Sequence, residues 1–173
     1  MLLLAVSGSL RAASSNTAAL QALCLLAPPE LEIALYDVGR LPHFNPDLDV
    51  EPLPAPVREL RALVGRCAGI VISSPEYAHG MPGSLKNALD WLVSSFEFPG
   101  KPVALVNTSP RAVHAQAALT ETLTTMSARL VPEANVTLPL LGRTLDAAGI
   151  AADAELAALL RRALDAFERA CAA

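Results

Sequence analysis

Short apolar runs alternate with segments of helical periodicity along this chain, and few folds accommodate that order. The runs LLLAV, GIVISS and PVALVN have the unbroken apolar character of strands that are buried on both faces. The segments between them place apolar residues three and four positions apart, which is the period of an amphipathic helix. Because strands joined by helices run parallel through right-handed crossovers, we expect an α/β fold with a doubly wound parallel sheet.

The predicted elements fill the chain in strict alternation. Five strands are predicted at residues 2–6, 31–36, 69–74, 102–107 and 135–140. Helices are predicted at residues 16–27, 57–66, 85–93 and 115–130, and a fifth follows an N-cap at Asp153. No linker or repeat interrupts this order, and 173 residues with 53% hydrophobic content suffice for one core. We therefore expect a single domain over residues 1–173.

The composition excludes several classes of partner. A net charge of -4 without any run of Lys or Arg predicts no binding to nucleic acid or to an anionic membrane. The start MLLLAV lacks the basic region of a signal peptide, and no run approaches the ~18 apolar residues of a membrane span, so we expect a cytoplasmic protein. Cys24, Cys67 and Cys171 lack metal-ligand spacing, so no metal is predicted, and the two that fall in helical patterns are interpreted as small buried hydrophobes.

The loop after the first strand, SGSLRAASSN, is unusually polar. Gly8 allows a sharp turn there, and the backbone amides that follow point to the positive end of the next helix. Hydroxyl, amide and guanidinium donors surround that end, namely Ser9, Arg11, Ser14, Asn16 and Thr17. This chemistry predicts a phosphate site. One alternative is that these residues only cap the helix. A second alternative is a dinucleotide-binding site with Asp37, after the second strand, as the ribose-binding acid, although the glycines that such a site requires are missing.

The loop after the third strand, SSPEYAHGMPGSLKNALDW, is the second unusual segment. Pro75 stiffens its start, and Tyr77 offers a flat ring that suits a flat ligand, although a surface aromatic remains an alternative. Trp91 has helical spacing with Ala88 and Leu92, which favours a place in the core over a contact with a cofactor.

Three segments, GSLRAASSN, PEYAHGMPGSLKNALDW and GKPVALVNTS, resemble in order and separation the NADPH-dependent FMN reductase family of flavodoxin-like proteins. The resemblance covers about residues 2–130. It implies a flavodoxin-like, five-stranded sheet of order 2-1-3-4-5 with helices on both faces. It also implies FMN as the cofactor and NADPH or NADH as the co-substrate.

The resemblance assigns roles to residues of both loops. The FMN phosphate, ribityl chain and ring would be held by Ser9, Arg11, Ser14, Ser15, Asn16, Thr17, Pro75, Glu76, Tyr77, the backbone at Ala78, and Ser109. No side chain is assigned as a catalytic acid or base. The chain departs from the family at three places: Ala78 stands where Asn is frequent, Gly80 stands where Ser is frequent, and PRAVHA stands where many members have glycines. The last departure leaves open whether Arg111 or His114 contacts the cofactor or NADPH.

The implied activity is an NAD(P)H oxidoreductase. Hydride would pass from NADPH or NADH to FMN, and electrons would then reach a small-molecule acceptor such as a quinone, an azo compound, a metal oxyanion or free flavin. A flavodoxin-type electron carrier and a nucleotide-binding regulator without flavin are the alternatives. The aromatic residues Trp91, Phe96 and Phe98, together with the resemblance, suggest a homodimer or homotetramer, while internal packing of all three explains them equally well.

Overall fold

A parallel β-sheet forms the centre of the structure, which is a computed structural model that describes residues 1–173. Across the sheet the strands are β2 (Glu32–Tyr36), β1 (Leu2–Ser7), β3 (Gly69–Ser73), β4 (Pro102–Asn107) and β5 (Arg129–Leu130). A sixth strand, β6 (Val136–Thr137), also pairs with β4, so that two short strands share the fifth position. The predicted order 2-1-3-4-5 is confirmed.

Helices cover both faces of the sheet, as predicted. One face carries α1 (Ser15–Leu26), α5 (Ala147–Ala152) and α6 (Ala154–Ala172), and the other carries α2 (Ala55–Arg66), α3 (Gly83–Asp90) and α4 (Val113–Thr125). Each face buries a cluster of 21 residues. Strand β1 contributes Leu3 to one cluster and Leu4 to the other, because successive side chains of a strand point to opposite faces. Burial on both sides explains the continuous apolar runs in the sequence.

The prediction was wrong at the far edge of the sheet. Helix α4 ends at Thr125 instead of continuing to residue 130, because Ser127 takes a φ of 63° and the amide of Ala128 donates to the Leu123 carbonyl. The predicted strand 135–140 is reduced to the two residues of β6, and β5 precedes it. A 3-10 turn at Pro132–Ala134 separates β5 from β6.

The C-terminal region contains one helix more than predicted. The short helix α5 was not expected, since six residues are too few for a periodic pattern. The predicted N-cap of α6 is confirmed: the Asp153 carboxylate accepts hydrogen bonds from the amides of Glu155 and Leu156, at 3.1 and 3.2 Å. None of the helices combines the length and the apolar character that crossing a bilayer requires.

The proline-rich segment before α2 is held against α3 and the residues that follow it. The Pro42 carbonyl accepts hydrogen bonds from Asn87 Nδ2 at 3.0 Å and from Trp91 Nε1 at 2.8 Å. Further along, Asp49 forms an ion pair with Arg61 at 2.8 Å. Trp91 is fully buried, which confirms its predicted place in the core.

Candidate functional site

A cavity of about 810 Å³ opens at the carboxyl ends of the strands. Loops that follow β1, β3, β4 and β6 surround it, and its size lies within the usual range for small-molecule sites. The predicted residues that line it are Ser9, Arg11, Ser14, Ser15, Asn16, Thr17, Pro75, Glu76, Tyr77 and Ser109. Ala78 is the only residue of the predicted set that does not line the cavity. The proline-rich segment 42–56 does not line it either.

The first loop passes close to the end of β3. The Gly8 amide donates to the Ser73 carbonyl at 2.8 Å, and a Cβ at Gly8 would lie 3.1 Å from Ser74 Oγ. Glycine allows this close approach because it lacks a side chain. The chain then reaches α1, where Ser14 is the N-cap and accepts from the Thr17 amide at 3.3 Å.

The positive end of α1 is open to the cavity. Only one side chain, that of Ser14, caps the helix, so capping does not account for the other polar residues of the loop. The amides of Ser15 and Asn16 have no acceptor within the protein. Arg11 is exposed at the same end of the cavity and has no carboxylate partner. Two free amides and an unpaired guanidinium are the donors that an anion requires.

Asn16 connects three loops from a buried position, with 5% of its surface exposed. Its Oδ1 accepts hydrogen bonds from Ser73 Oγ at 2.9 Å and from Thr108 Oγ1 at 3.2 Å. Beside it the hydroxyls of Thr17 and Ser7 lie 2.8 Å apart. Because its oxygen is occupied, Asn16 retains its amide nitrogen as the group available to a ligand.

The loop after β3 makes a tight turn at the mouth of the cavity. Tyr77 and Gly80 exchange two backbone hydrogen bonds of 3.0 Å, and the two central residues, Ala78 and His79, have φ values of 49° and 60°. Positive φ at both central positions is typical of a type I′ turn, which prefers Asn and Gly. The turn presents Tyr77 with 56% of its surface exposed.

Two contacts connect this turn with α4. The Glu76 carboxylate accepts a hydrogen bond at 2.9 Å from the amide of Ala115, in the first turn of a helix that has no capping side chain of its own. The rings of His79 and His114 stack with their centroids 4.2 Å apart and their planes 25° from parallel. The loops after β3 and β4 therefore form one connected rim.

The loop after β4 is a compact turn. Asn107 Oδ1 accepts from the Ser109 amide at 3.0 Å, and Ser109 Oγ accepts from the Arg111 amide at 3.2 Å. Arg111 is exposed and lines the cavity.

Sequence reasoning missed the segment 140–147, which also lines the cavity. Within it Gly142 has a φ of 77°, and Arg143 forms an ion pair with Asp153 at 2.6 Å. The segment could have been predicted from its position after the last strand, because the carboxyl ends of parallel strands lie at the same edge of the sheet and the loops that follow them surround the site.

The perturbed pKa values belong to groups outside the cavity. Burial raises the pKa of the Cys24 and Cys67 thiols, and it raises that of Cys171 to about 11. Burial also raises the pKa of Tyr36, whose hydroxyl donates to the Pro56 carbonyl at 2.7 Å, to about 12. No group of three or more His, Cys, Asp or Glu side chains is arranged to hold a metal ion.

Comparison with known proteins agrees with this geometry. The family model for NADPH-dependent FMN reductases matches residues 1–140. An NAD(P)H-dependent FMN reductase of Pseudomonas aeruginosa is 32% identical over 170 residues, which cover 95% of this chain and 92% of that protein. A quinone reductase of Escherichia coli is 39% identical over 110 residues, which cover 61% of this chain and 58% of that protein.

Solved structures of similar proteins have the same fold. FerB of Paracoccus denitrificans, a flavoenzyme NAD(P)H:(acceptor) oxidoreductase, has a TM-score of 0.76 at 29% identity over 97% of both chains. Flavodoxin 1 of Bacillus cereus has a TM-score of 0.61 at 18% identity, with 98% of both chains covered, and shows the shared fold alone. The predicted flavodoxin-like fold, FMN and NAD(P)H as cofactors, and an oxidoreductase activity are thus confirmed. This chain belongs to the NADPH-dependent FMN reductase family.

Proposed function

We propose that the chain acts as one FMN-binding domain, which oxidises NAD(P)H and reduces a small-molecule acceptor of the quinone class at the cavity described above. The observation that carries this proposal is the open end of α1, where two amides without acceptors and the unpaired Arg11 face one cavity. A phosphate is the ligand group that best satisfies such donors. Two helical layers packed on one sheet support a single domain.

The first loop suits the phosphate of FMN. Arg11 would supply the charge, the amides of Ser15 and Asn16 would supply hydrogen bonds, and the hydroxyls of Ser9 and Ser14 line the same end. The hydroxyl of Thr17 already bonds to Ser7, so its contribution would be to hold the loop in shape. Gly8 allows this loop to pass close to the end of β3, because a Cβ there would lie 3.1 Å from Ser74 Oγ and 3.2 Å from Leu85 Cδ2.

The loops after β3 and β4 suit the flavin ring. When bound, FMN supplies the redox chemistry, accepting a hydride from NAD(P)H and passing electrons to the acceptor. Tyr77 would offer a flat exposed surface for stacking, and Pro75 would keep the start of the loop rigid. The turn after β4 would place the Ser109 hydroxyl at the ring edge, because its oxygen accepts from the Arg111 amide and its proton has no acceptor within the protein.

A quinone is the acceptor class that we propose. Several relatives carry the name quinone reductase, including those of Escherichia coli and Pseudomonas putida. A planar quinone also suits an open site beside an exposed tyrosine ring. The cytoplasmic location stays a prediction from the sequence.

Self-association is the second part of the proposal. Trp91 and Phe98 are buried and are not available to a partner, whereas Phe96 is 98% exposed and Val93 lies near it in the chain, also exposed. A large exposed aromatic is typical of an interface. We expect a dimeric or tetrameric mass by light scattering at micromolar concentration, and a lower mass for Phe96→Asp. A monomeric wild type would contradict this part.

The proposed FMN site is tested by titrating flavin-free protein with FMN. We expect the purified protein to show the absorption of oxidised flavin, and Arg11→Ala to bind FMN about 10-fold to 100-fold more weakly, because hydrogen bonds to charged groups contribute about 1.5–3 kcal/mol. Arg162→Ala removes an equal charge from the exposed face of α6 and should bind FMN like the wild type.

Unchanged FMN affinity in a folded Arg11→Ala variant would contradict the phosphate assignment. Steady oxidation of NADPH with a quinone distinguishes the enzyme from an electron carrier, which would show no turnover of its own. A colourless protein that binds no FMN would favour a nucleotide-binding regulator.

A further inference from the structure

We propose that the ion pair between Arg143 and Asp153 holds segment 140–147 as a movable wall of the cavity, and that it thereby sets how fast FMN leaves. The inference rests on the proposed function, because it requires FMN in this cavity. All but the first residue of the segment lie after residue 140, where the match to the family model ends. Arg143 is therefore assigned as a positioning residue that belongs to this chain's own C-terminal region.

Segment 140–147 forms one side of the cavity. It follows the short strand β6 and leads into α5, which packs against α1. All of its residues line the cavity, together with Ala18 and Gln21 of α1. The N-terminal end of α1, where the phosphate of FMN would bind, lines the same cavity. The segment therefore borders the ligand that is proposed there.

The two ends of the segment are fixed, whereas its middle is exposed. Leu140 is buried in the core cluster beside α1, and Leu145 packs against the same cluster. Residues 141–144 between them are all exposed. Gly142 turns the chain there with a φ of 77°, a conformation that glycine adopts without strain. The segment is thus a short loop whose middle can move while its ends stay in place.

An ion pair attaches this exposed middle to the start of α6. Arg143 Nη2 donates to Asp153 Oδ2 at 2.6 Å. The other oxygen of the same carboxylate accepts from the amides of Glu155 and Leu156, so Asp153 is already held in place as the N-cap. The hydrogen bond from Arg143, and next that from the Leu156 amide, lower the pKa of Asp153.

The ion pair is suited to form and break reversibly. Because Asp153 is preorganised by the helix end, the pair loses less conformational freedom on forming than two flexible side chains would. The side chains of Arg143 and Asp153 are nevertheless 41% and 26% exposed, so water can replace either partner. When the pair is broken, the middle of the segment is free to move away from the cavity.

The inference is tested by the rate at which FMN leaves the loaded protein, followed by flavin fluorescence after dilution. Arg143→Gln and Asp153→Asn should each speed release about 2-fold to 5-fold, which is the range for an exposed ion pair. The double variant should release FMN no faster than either single variant, because all three lack the same interaction. Asparagine is also a good N-cap, so Asp153→Asn removes the ion pair and keeps the start of α6. At about 1 M salt the wild type and Asp153→Asn should differ less, because salt screens exposed charges.

The ion pair between Lys86 and Asp90 on α3 offers a matched control. It has the same 2.6 Å distance and similar exposure, and neither residue lines the cavity. Asp90→Asn should therefore leave FMN release unchanged. If the flavin-free Asp90→Asn and Asp153→Asn proteins unfold at similar urea concentrations, faster release in Asp153→Asn reflects the cavity wall and not a loss of overall stability.

Limited digestion with trypsin supplies a readout that needs no ligand. Trypsin cleaves after arginine, and cleavage within a folded protein requires local opening of the chain. In the flavin-free protein, the bond between Arg143 and Thr144 should be cleaved about 2-fold to 5-fold faster in Asp153→Asn than in the wild type or in Asp90→Asn. Bound FMN should slow this cleavage.

Slower FMN release in Asp153→Asn, together with faster release in Arg143→Gln, would overturn the inference. It would assign Arg143 directly to the phosphate of FMN, because loss of the Asp153 charge would free the guanidinium for that group. Unchanged release in both variants would also overturn the inference, and continued binding of FMN would show that the proposed function still holds. If the wild type binds no FMN, the proposed function fails. Equal cleavage by trypsin in all three proteins would then overturn the movable wall as well, whereas faster cleavage in Asp153→Asn would support it.

Discussion

Replacing Asn16 with Ala should destabilise the FMN-free protein by about 1–3 kcal/mol. Its Oδ1 accepts two hydrogen bonds, from Ser73 and Thr108, and each contributes about 0.5–1.5 kcal/mol. The bond from Ser73 carries the larger share, because Ser73 is 0% exposed and its hydroxyl would lose its acceptor. Thr108 retains a second hydroxyl neighbour, Ser15, at 3.2 Å.

This loss can be measured by urea unfolding followed by circular dichroism. FMN must be absent, because a ligand of the folded state adds stability by mass action. For a chain of this size the melting temperature should fall by about 2–4 °C for each kcal/mol lost. In a Ser73→Ala background the same change should cost about 1 kcal/mol less, since one of the two bonds is already missing.

Asn16→Asp is the matched control. It keeps an acceptor oxygen for both hydroxyls, and a carboxylate in the first turn of α1 is favoured by the helix dipole. We expect near-normal stability of the FMN-free variant but at least about 10-fold weaker FMN binding, because the carboxylate and the phosphate repel each other. The reasoning would be refuted by an Asn16→Ala protein as stable as the wild type, with no coupling to Ser73.

Four further outcomes follow from features of the rim and the core. Tyr77→Ala should lower kcat/KM for the nucleotide more than it lowers FMN affinity, which rapid-mixing kinetics and fluorescence titration can compare on one sample. Ala78→Gly should stabilise the protein by about 1 kcal/mol, because an alanine at a φ of 49° is strained and a glycine is not; a lower urea midpoint would count against this. The raised pKa of Tyr36 means that the neutral phenol contributes stability fully below about pH 10, and this contribution is lost as the pH rises towards about 12. Urea midpoints should therefore drop across this window more in the wild type than in Tyr36→Phe. If nucleotide and acceptor use the same cavity mouth in turn, double-reciprocal plots should be parallel, and intersecting lines would indicate a ternary complex instead.

The central strands and the first loop were predictable because their signals are local. Strands β1, β3 and β4 are buried on both faces, so each leaves a continuous apolar run in the sequence. The loop before α1 is recognisable because a glycine, hydroxyls and an arginine follow directly after such a run. The rule of right-handed crossovers predicted a doubly wound parallel sheet, and the family resemblance supplied the strand order.

The remaining features depend on contacts that no local pattern encodes. Strands β5 and β6 have two residues each, which is too short for any periodicity. Helix α4 ends at a left-handed position that is occupied by Ser127, so the glycine that usually marks such a helix end is missing from the sequence. The partner of Glu76 is an amide 39 residues further along the chain. The pairing of His79 with His114 likewise exists only once α4 has packed against the sheet.

The hydrogen bond between Glu76 and Ala115 offers an internal reporter of loop opening. The Ala115 amide lies before the first hydrogen bond within α4, so its protection from deuterium exchange depends on a side chain of another loop. Whenever the turn at Tyr77 moves away from α4, this amide becomes free to exchange. Its exchange rate therefore measures how often the mouth of the cavity opens, and ligands that hold the turn in place should slow that rate without touching Ala115.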